Sequence, residues 1–290
     1  MGFESLTAVT GDGVRLALRR FAPVGSGRGA VLCTHAMMVH GRYFHRGDGG
    51  VGGDGFAGAL AGHGLDTYVL DWRGHGDSKP PRARGGTWTF DDYVRLDLPA
   101  ALAAVAARAG CDGGEVGLLG HSLGGLVGLA ALGTGAVRVR RLVLAATSVW
   151  LTGPRGPWRR RAIMAAYDGV ARVVGHAPIR ALRLGSEDEP ASYVRQLVGW
   201  ARRGRWTSGD GIDYLATLAR VDVPAWGVVG LGDRLCGPDD AEALLRRLRH
   251  AAPLRVVGRV AGDPLDPDHF TLFTRGELAP MWAELAAALA

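Results

Sequence analysis

Apolar and polar positions along the chain fall into blocks whose period changes in a regular order. Thr7 to Thr10, Gly-Asp-Gly at 11–13 and Val14 to Phe21 read as an antiparallel hairpin, since glycine supplies positive φ at a turn at little cost. Ala30 to His35 is a short apolar run suited to a strand buried on both faces. Phe56, Ala59 and Leu60 recur at helical spacing within 56–63, and Thr67 to Asp71 is the next strand. A long helix is expected over 90–109, with Asp91 and Asp92 in the first turn, where the helix dipole favours negative charge. Val116 to Gly120 reads as a strand, 123–132 as a glycine-rich helix packed closely on the sheet, and Arg141 to Ala146 as a further strand.

The alternation then stops. Residues 148–221 contain no convincing strand and read as helices at 158–174, about 190–202 and about 210–219. It resumes with a strand at 225–231, a helix at 238–249 with Pro238 at its start, a weak strand at 254–257 and a closing helix at 271–289. Strands alternating with helices imply an α/β protein, with a mostly parallel central sheet and helices on both faces. The expected organisation is one core built from 1–147 and 222–290, with 148–221 inserted as a helical cap, or lid. The glycine-rich loop around 47–55 is expected to be mobile.

A chain of 290 residues with 47% apolar content can bury one large core. The net charge of +6 does not point to nucleic acid: Lys79 is the only lysine, arginine replaces it throughout, and no basic run accompanies the excess. From Trp150 to Arg220 twelve arginines face six acids, 12 − 6 = +6, so the basic balance sits in the cap. There Ile163, Ala166, Tyr167, Val170 and Val174 recur at helical spacing, with Arg159, Arg160, Arg161, Asp168 and Arg172 mostly opposite. This stripe is expected to pack on the main domain with the arginines solvated; the alternative is a cap that makes peripheral contact with an anionic or lipid surface.

Cys33, Cys111 and Cys236 are odd in number and far apart, which argues against a disulfide framework or a zinc site, and Cys33 is expected to be a buried small hydrophobe. With no basic-then-apolar leader and no apolar stretch of about 20 residues, the expectation is a soluble, cytoplasmic protein.

Gly120-His121-Ser122-Leu123-Gly124 fits G-x-S-x-G where a strand ends and a helix begins. A sharp strand–turn–helix requires small flanking residues and lifts the serine hydroxyl to a helix N-terminus, which favours negative charge. A serine hydroxyl needs a base, and the base an orienting acid. Of the histidines beyond the insertion boundary, His250 ends an arginine-rich helix and His176 lies in the cap, whereas His269 follows the last strand in an irregular loop. His269 is therefore the candidate base. Asp233 follows the strand ending at Leu231 and is the candidate acid; Asp239 and Asp240 suit the first turn of the next helix, and 142–153 contains neither Asp nor Glu. The oxyanion donors are expected to be the backbone N–H groups of Leu123 and Met37.

The His35-Ala36-Met37 loop, the segment Asp71-Trp-Arg-Gly-His-Gly-Asp-Ser78, the Ser122 elbow and the Asp233 and His269 turns together resemble the α/β-hydrolase superfamily, on the branch of monoacylglycerol lipases, lysophospholipases and related esterases. The resemblance covers nearly the whole chain; Ala36 stands where the family usually has glycine. It implies the α/β-hydrolase fold and a structural role for the 71–78 segment. Members that open epoxides or remove halide carry Asp at the nucleophile, so Ser122 argues against both reactions. His35, His40 and His45 are spaced by five, which suits neither face of a helix, so no metal site is expected there, and no metal or organic cofactor is expected. The expected function is hydrolysis of a carboxylic ester of lipid-like or acyl-glycerol type. Thioester, amide or carbon–carbon cleavage, acyl transfer, and a ligand-binding protein without turnover stand as alternatives. The oligomeric state is not readable from the sequence.

Overall fold

A computed structural model describes residues 2–46, 54–78, 87–151, 157–250 and 252–290. The glycine-rich stretch 47–53 and Lys79 lie outside the described residues.

Eight strands form one sheet in the order β1-β2-β4-β3-β5-β6-β9-β10. They are β1 (Glu4–Val9), β2 (Arg15–Phe21), β3 (Ala30–Thr34), β4 (Asp66–Leu70), β5 (Gly117–His121), β6 (Arg141–Ala145), β9 (Ala225–Gly230) and β10 (Leu254–Val257). The β1–β2 hairpin is antiparallel and β2 joins β4 antiparallel. Every other pairing is parallel, through β4-β3-β5-β6-β9-β10. β3, β4 and β5 are buried at every position, as helices on both faces require. One face carries α2 (Phe90–Asp92), α3 (Leu98–Ala109) and α4 (Leu123–Thr134); the other carries α1 (Gly55–Gly62) and α10 (Ala279–Leu289).

Three elements outside the 148–221 insertion differ from the sequence reading. The helix over 90–109 widens into a π-helical stretch at Tyr93–Asp97, which puts the Asp97 carboxylate on the Arg73 backbone N–H and guanidinium. The closing helix is three pieces, α9 (Thr271–Thr274), a 3-10 turn (Gly276–Leu278) and α10, because Arg275 is extended and Pro280 starts a new helix. The helix at 238 ends earlier, as α8 (Pro238–Leu245).

Between β6 and β9 lie α5 (Trp158–Val174), α6 (Ala191–Arg203) and α7 (Tyr214–Thr217), with a two-residue antiparallel ladder of β7 (His176–Ala177) and β8 (Glu189–Pro190) that the sequence reading lacks. The expected packing of the α5 stripe is overturned. Ile163, Val170 and Val174 face solvent at 54%, 36% and 47% exposure, and only Tyr167 of the stripe is half-buried. α5 rests instead on Met164, Asp168 and Ala171, against the Val194, Val198 and Ala201 face of α6. The buried Asp168 carboxylate is bridged by Arg172 and Arg202, so a charged residue sits where hydropathy places the wet side. Among the described residues no helix is long and apolar enough to cross a membrane.

Candidate active site

Ser122 sits between β5 and α4 at φ 53°, ψ −110°, a backbone conformation that an L-residue adopts only when its surroundings enforce it. The enforcement is visible. The Ser122 N–H donates to Ala145 O at 2.8 Å, and its carbonyl accepts from Leu126 N at 3.1 Å. A Cβ on Gly120 would lie 2.5 Å from the Gly125 backbone, and one on Gly124 2.5 Å from Thr34 O. Both glycines of the motif are thus required by packing as well as by the turn. Leu123 opens α4, so its N–H has no acceptor within the helix.

β9 ends in a turn in which Asp233 N–H donates to Gly230 O. The Asp233 carboxylate is buried and fully used: Oδ1 accepts from Leu235 N at 2.7 Å and Cys236 N at 2.9 Å, and Oδ2 meets His269 Nδ1 at 2.7 Å. His269 itself is buried, 7% exposed. Its loop is brought in by glycine. A Cβ on Gly230 would stand 2.1 Å from Pro267 O and one on Gly232 2.6 Å from Asp266 O, while Gly232 N–H donates to Pro267 O. With Nδ1 bound to the carboxylate, His269 Nε2 is the nitrogen left for proton transfer. The rival acids are placed elsewhere: Asp239 and Asp240 stand in the first turn of α8, with Asp240 paired to Arg160, Asp268 binds Thr271 and Phe270 amides, and Asp266 accepts from Arg259 N. His250 is exposed and paired with Asp222, and His176 lies near Asp188.

Two residues that sequence reasoning passed over complete the wall behind His269. His121, next to Ser122, packs its ring 4.8 Å from that of His269. Its Nδ1 meets Tyr43 Oη at 2.6 Å, and burial first, then the neighbouring His269, hold its pKa well below the ordinary histidine value. His121 is therefore neutral.

The loop after β3 holds the expected oxyanion donor. Ala36 N–H reaches Tyr43 Oη at 3.4 Å and Met38 N–H reaches Glu189 Oε1 at 2.8 Å. Met37 N–H, between them, has no acceptor among the described residues. Beside it His35 is buried, with Nδ1 against Ala36 O and Nε2 accepting from Trp72 N–H, a pattern that only the neutral Nδ1–H tautomer satisfies. Burial pushes its pKa down to about 3. The 71–78 segment is a scaffold. Asp71 accepts from Gly41 N, Asp77 N and Arg19, and Arg73 bridges Asp97 and Asp12. Among the described residues no group of three or more His, Cys, Asp or Glu is placed to hold a metal ion.

A mostly parallel eight-stranded sheet, with a strained serine between β5 and α4 and a His–Asp pair from the turns after β9 and β10, defines an α/β-hydrolase fold. The chain belongs to the Hydrolase_4 family, described as serine aminopeptidase, S33, whose profile matches residues 33–196. It is 37% identical over 123 residues to an N-formylmaleamate deformylase of Pseudomonas putida, a match covering 40% of this chain and 42% of that one, less than half the relative's length. Among solved structures it is similar to DcsB in complex with its substrate analogue, at 16% identity over the whole of both chains with a TM-score of 0.66. An esterase from Exiguobacterium antarcticum superposes with a TM-score of 0.63 at 16% identity, over 100% of this chain and 99% of that one.

Proposed function

We propose that this protein is a serine hydrolase that cleaves a carboxylic ester through an acyl-enzyme on Ser122. The observation that carries the reading is the 2.7 Å hydrogen bond between His269 and Asp233, held at the nucleophile elbow by the contact between His121 and His269. Ser122 attacks the carbonyl as His269 takes its proton, and the buried Asp233 carboxylate orients and charge-stabilises the imidazolium. The oxyanion is received by the Leu123 and Met37 N–H groups. The protonated His269 gives its proton to the leaving alcohol; water, activated by the same imidazole, then hydrolyses the acyl-enzyme.

An apolar acyl group would suit the apolar cluster to which Leu123 belongs. Met37, Val149, Leu151 and Leu197 pack, partly buried, on the same cluster as Leu123 and Tyr193. The 148–221 insertion fits a cap over this site. Its outer face carries Trp158, Ile163, Val173, Leu182 and Leu184 exposed, beside exposed Arg159, Arg161, Arg180 and Arg183. An apolar face rimmed by arginine suits contact with an anionic lipid surface, from which an apolar ester would be drawn.

A second reading, hydrolysis of an N-formyl amide, is favoured by the deformylase relative. The same triad would serve it, with a carboxamide nitrogen, protonated by His269 as it departs, in place of the alcohol as leaving group. Labelling wild type and Ser122→Ala with a fluorophosphonate tests the nucleophile, and a panel of esters of increasing acyl length, thioesters and N-formyl amides then separates the substrates. Labelling that persists in Ser122→Ala overturns the assignment. Absent labelling of folded wild type favours a ligand-binding protein without turnover.

A further inference from the structure

Three consecutive amides of the loop after β3 have three different fates. Ala36 N–H is directed to Tyr43 and Met38 N–H to Glu189, while Met37 N–H has no acceptor among the described residues. Both peptide groups of Met38 are held by one short segment of the insertion. Glu189 Oε1 takes its N–H at 2.8 Å, and its carbonyl accepts from Ser186 N at 2.9 Å and Glu187 N at 3.0 Å. The approach is so close that a Cβ on Gly185 would lie 2.3 Å from Met38 O. Met38 also has φ 65°, a left-handed conformation that a non-glycine residue keeps only when held there.

Glu189 is itself fixed. It is fully buried, and the same Oε1 meets His75 Nε2 at 3.1 Å. His75 Nδ1 faces Arg73 O at 2.9 Å. Both ring nitrogens thus face acceptors only, so both carry protons and His75 is an imidazolium, the charge partner that a fully buried carboxylate needs. The neighbouring Glu187 reaches back to Gly76 N–H at 3.1 Å. The 185–189 segment therefore joins the insertion to the 71–78 scaffold on one side and to the oxyanion loop on the other.

We infer that Glu189 is a positioning residue whose carboxylate, by holding the Met38 amide, aims the Met37 N–H at the oxyanion, so that the oxyanion hole is complete only while the insertion is seated. The inference rests on the reading of Ser122 as nucleophile. It differs from a purely structural ion pair, which would hold the insertion down through His75 and leave the chemical step untouched.

The test is steady-state kinetics on p-nitrophenyl butyrate, with amide hydrogen exchange of segment 36–40, for wild type, Glu189→Ala, Glu189→Gln and Gly185→Ala. Loss of one oxyanion donor costs about 100-fold or more in kcat, so Glu189→Ala is expected to lose about that much with KM held within about twofold. Exchange of the 36–40 amides should quicken. Glu189→Gln, which keeps an acceptor oxygen, should fall between wild type and Glu189→Ala. Gly185→Ala leaves Glu189 in place but drives a methyl onto Met38 O, and should reproduce the kcat loss even if Glu189→Ala folds poorly. A loss confined to KM, an unchanged kcat, or unchanged exchange in Glu189→Ala overturns the proposal. A wild type inert to ester and fluorophosphonate removes the nucleophile reading instead, and the exchange result then decides the Glu189 clamp on its own.

Discussion

The imidazole rings of His121 and His269 lie 4.8 Å apart with their planes inclined at 42°, the first fully buried and uncharged, the second bound to Asp233. The neutral ring is a wall for the base. His121→Phe keeps that wall and loses only the Tyr43 bond, and kcat is expected to stay within about tenfold of wild type. His121→Ala leaves a cavity beside His269, with an expected stability loss of about 3 kcal/mol. Urea midpoints and ester kinetics on the pair of variants check both.

Asp233→Asn keeps the oxygen that accepts from Leu235 and Cys236 but turns an amide, in place of a carboxylate, toward His269. The imidazole then loses the partner that fixes its tautomer, and kcat is expected to fall by about 10⁴-fold with the fold retained. Ser122→Ala should fall at least as far and abolish covalent labelling. Circular dichroism beside the kinetics separates either effect from unfolding.

Gly124→Ala places a methyl 2.4 Å from Thr34 Oγ1 and 2.5 Å from Thr34 O. Since backbone cannot swing aside as a side chain can, the expected cost is about 3 kcal/mol, at the upper end of overpacking. A lowered urea midpoint with unchanged slope is the signature; an unchanged midpoint would mean that the elbow has slack where the packing shows none.

His75 supplies a pH prediction. Burial alone would lower its pKa, but the charge and hydrogen bond of Glu189 outweigh burial and raise it above the ordinary value. A raised histidine binds its proton more tightly in the folded chain. Its stabilisation is therefore complete below about pH 6.5 and is lost as pH rises through the folded value. The titratable groups around it are Glu189, Glu187, His35 with its ring 5.3 Å away, and Tyr93 with its ring 6.4 Å away. His35, lowered to about 3, has the opposite sign: its contribution is present above the ordinary value and lost as pH falls. Glu189→Ala also frees the Met38 N–H, so it is the pH dependence of the difference between wild type and Glu189→Ala that reports His75. The stability advantage of wild type should be largest near pH 6 and shrink toward pH 9, as read from urea midpoints.

The outward face of α5 predicts binding to vesicles of anionic phospholipid at low ionic strength, weakening as salt is raised because the arginines act through screened charge. Ile163→Asp with Val173→Asp, at 54% and 88% exposed positions, should abolish co-sedimentation without altering hydrolysis of a short soluble ester. Retention of vesicle binding in the double variant would remove this face from the account.

The sheet, the elbow and the His–Asp turns were legible because each rests on local chemistry: apolar runs of strand length, glycines where a side chain cannot fit, and acid and base at loop ends. The α5 orientation was not. Its buried stripe includes Asp168, made affordable by Arg172 and Arg202, and a periodicity argument reads any carboxylate as wet. Glu189 was hidden for a similar reason, since a Glu-Asp-Glu run looks solvated and its partners Met38 and His75 are over a hundred residues away in sequence. The ladder of His176–Ala177 with Glu189–Pro190 is two residues long, too short for any period.

The glycines at 230 and 232 leave the backbone of the acid turn in direct touch with the Asp266–Pro267 backbone just ahead of the base. The spacing between Asp233 and His269 is therefore set peptide against peptide, without side chains between them. Asp233 and His269 are thus tied through their backbones, so that a shift of α8 or α9 would carry the two together.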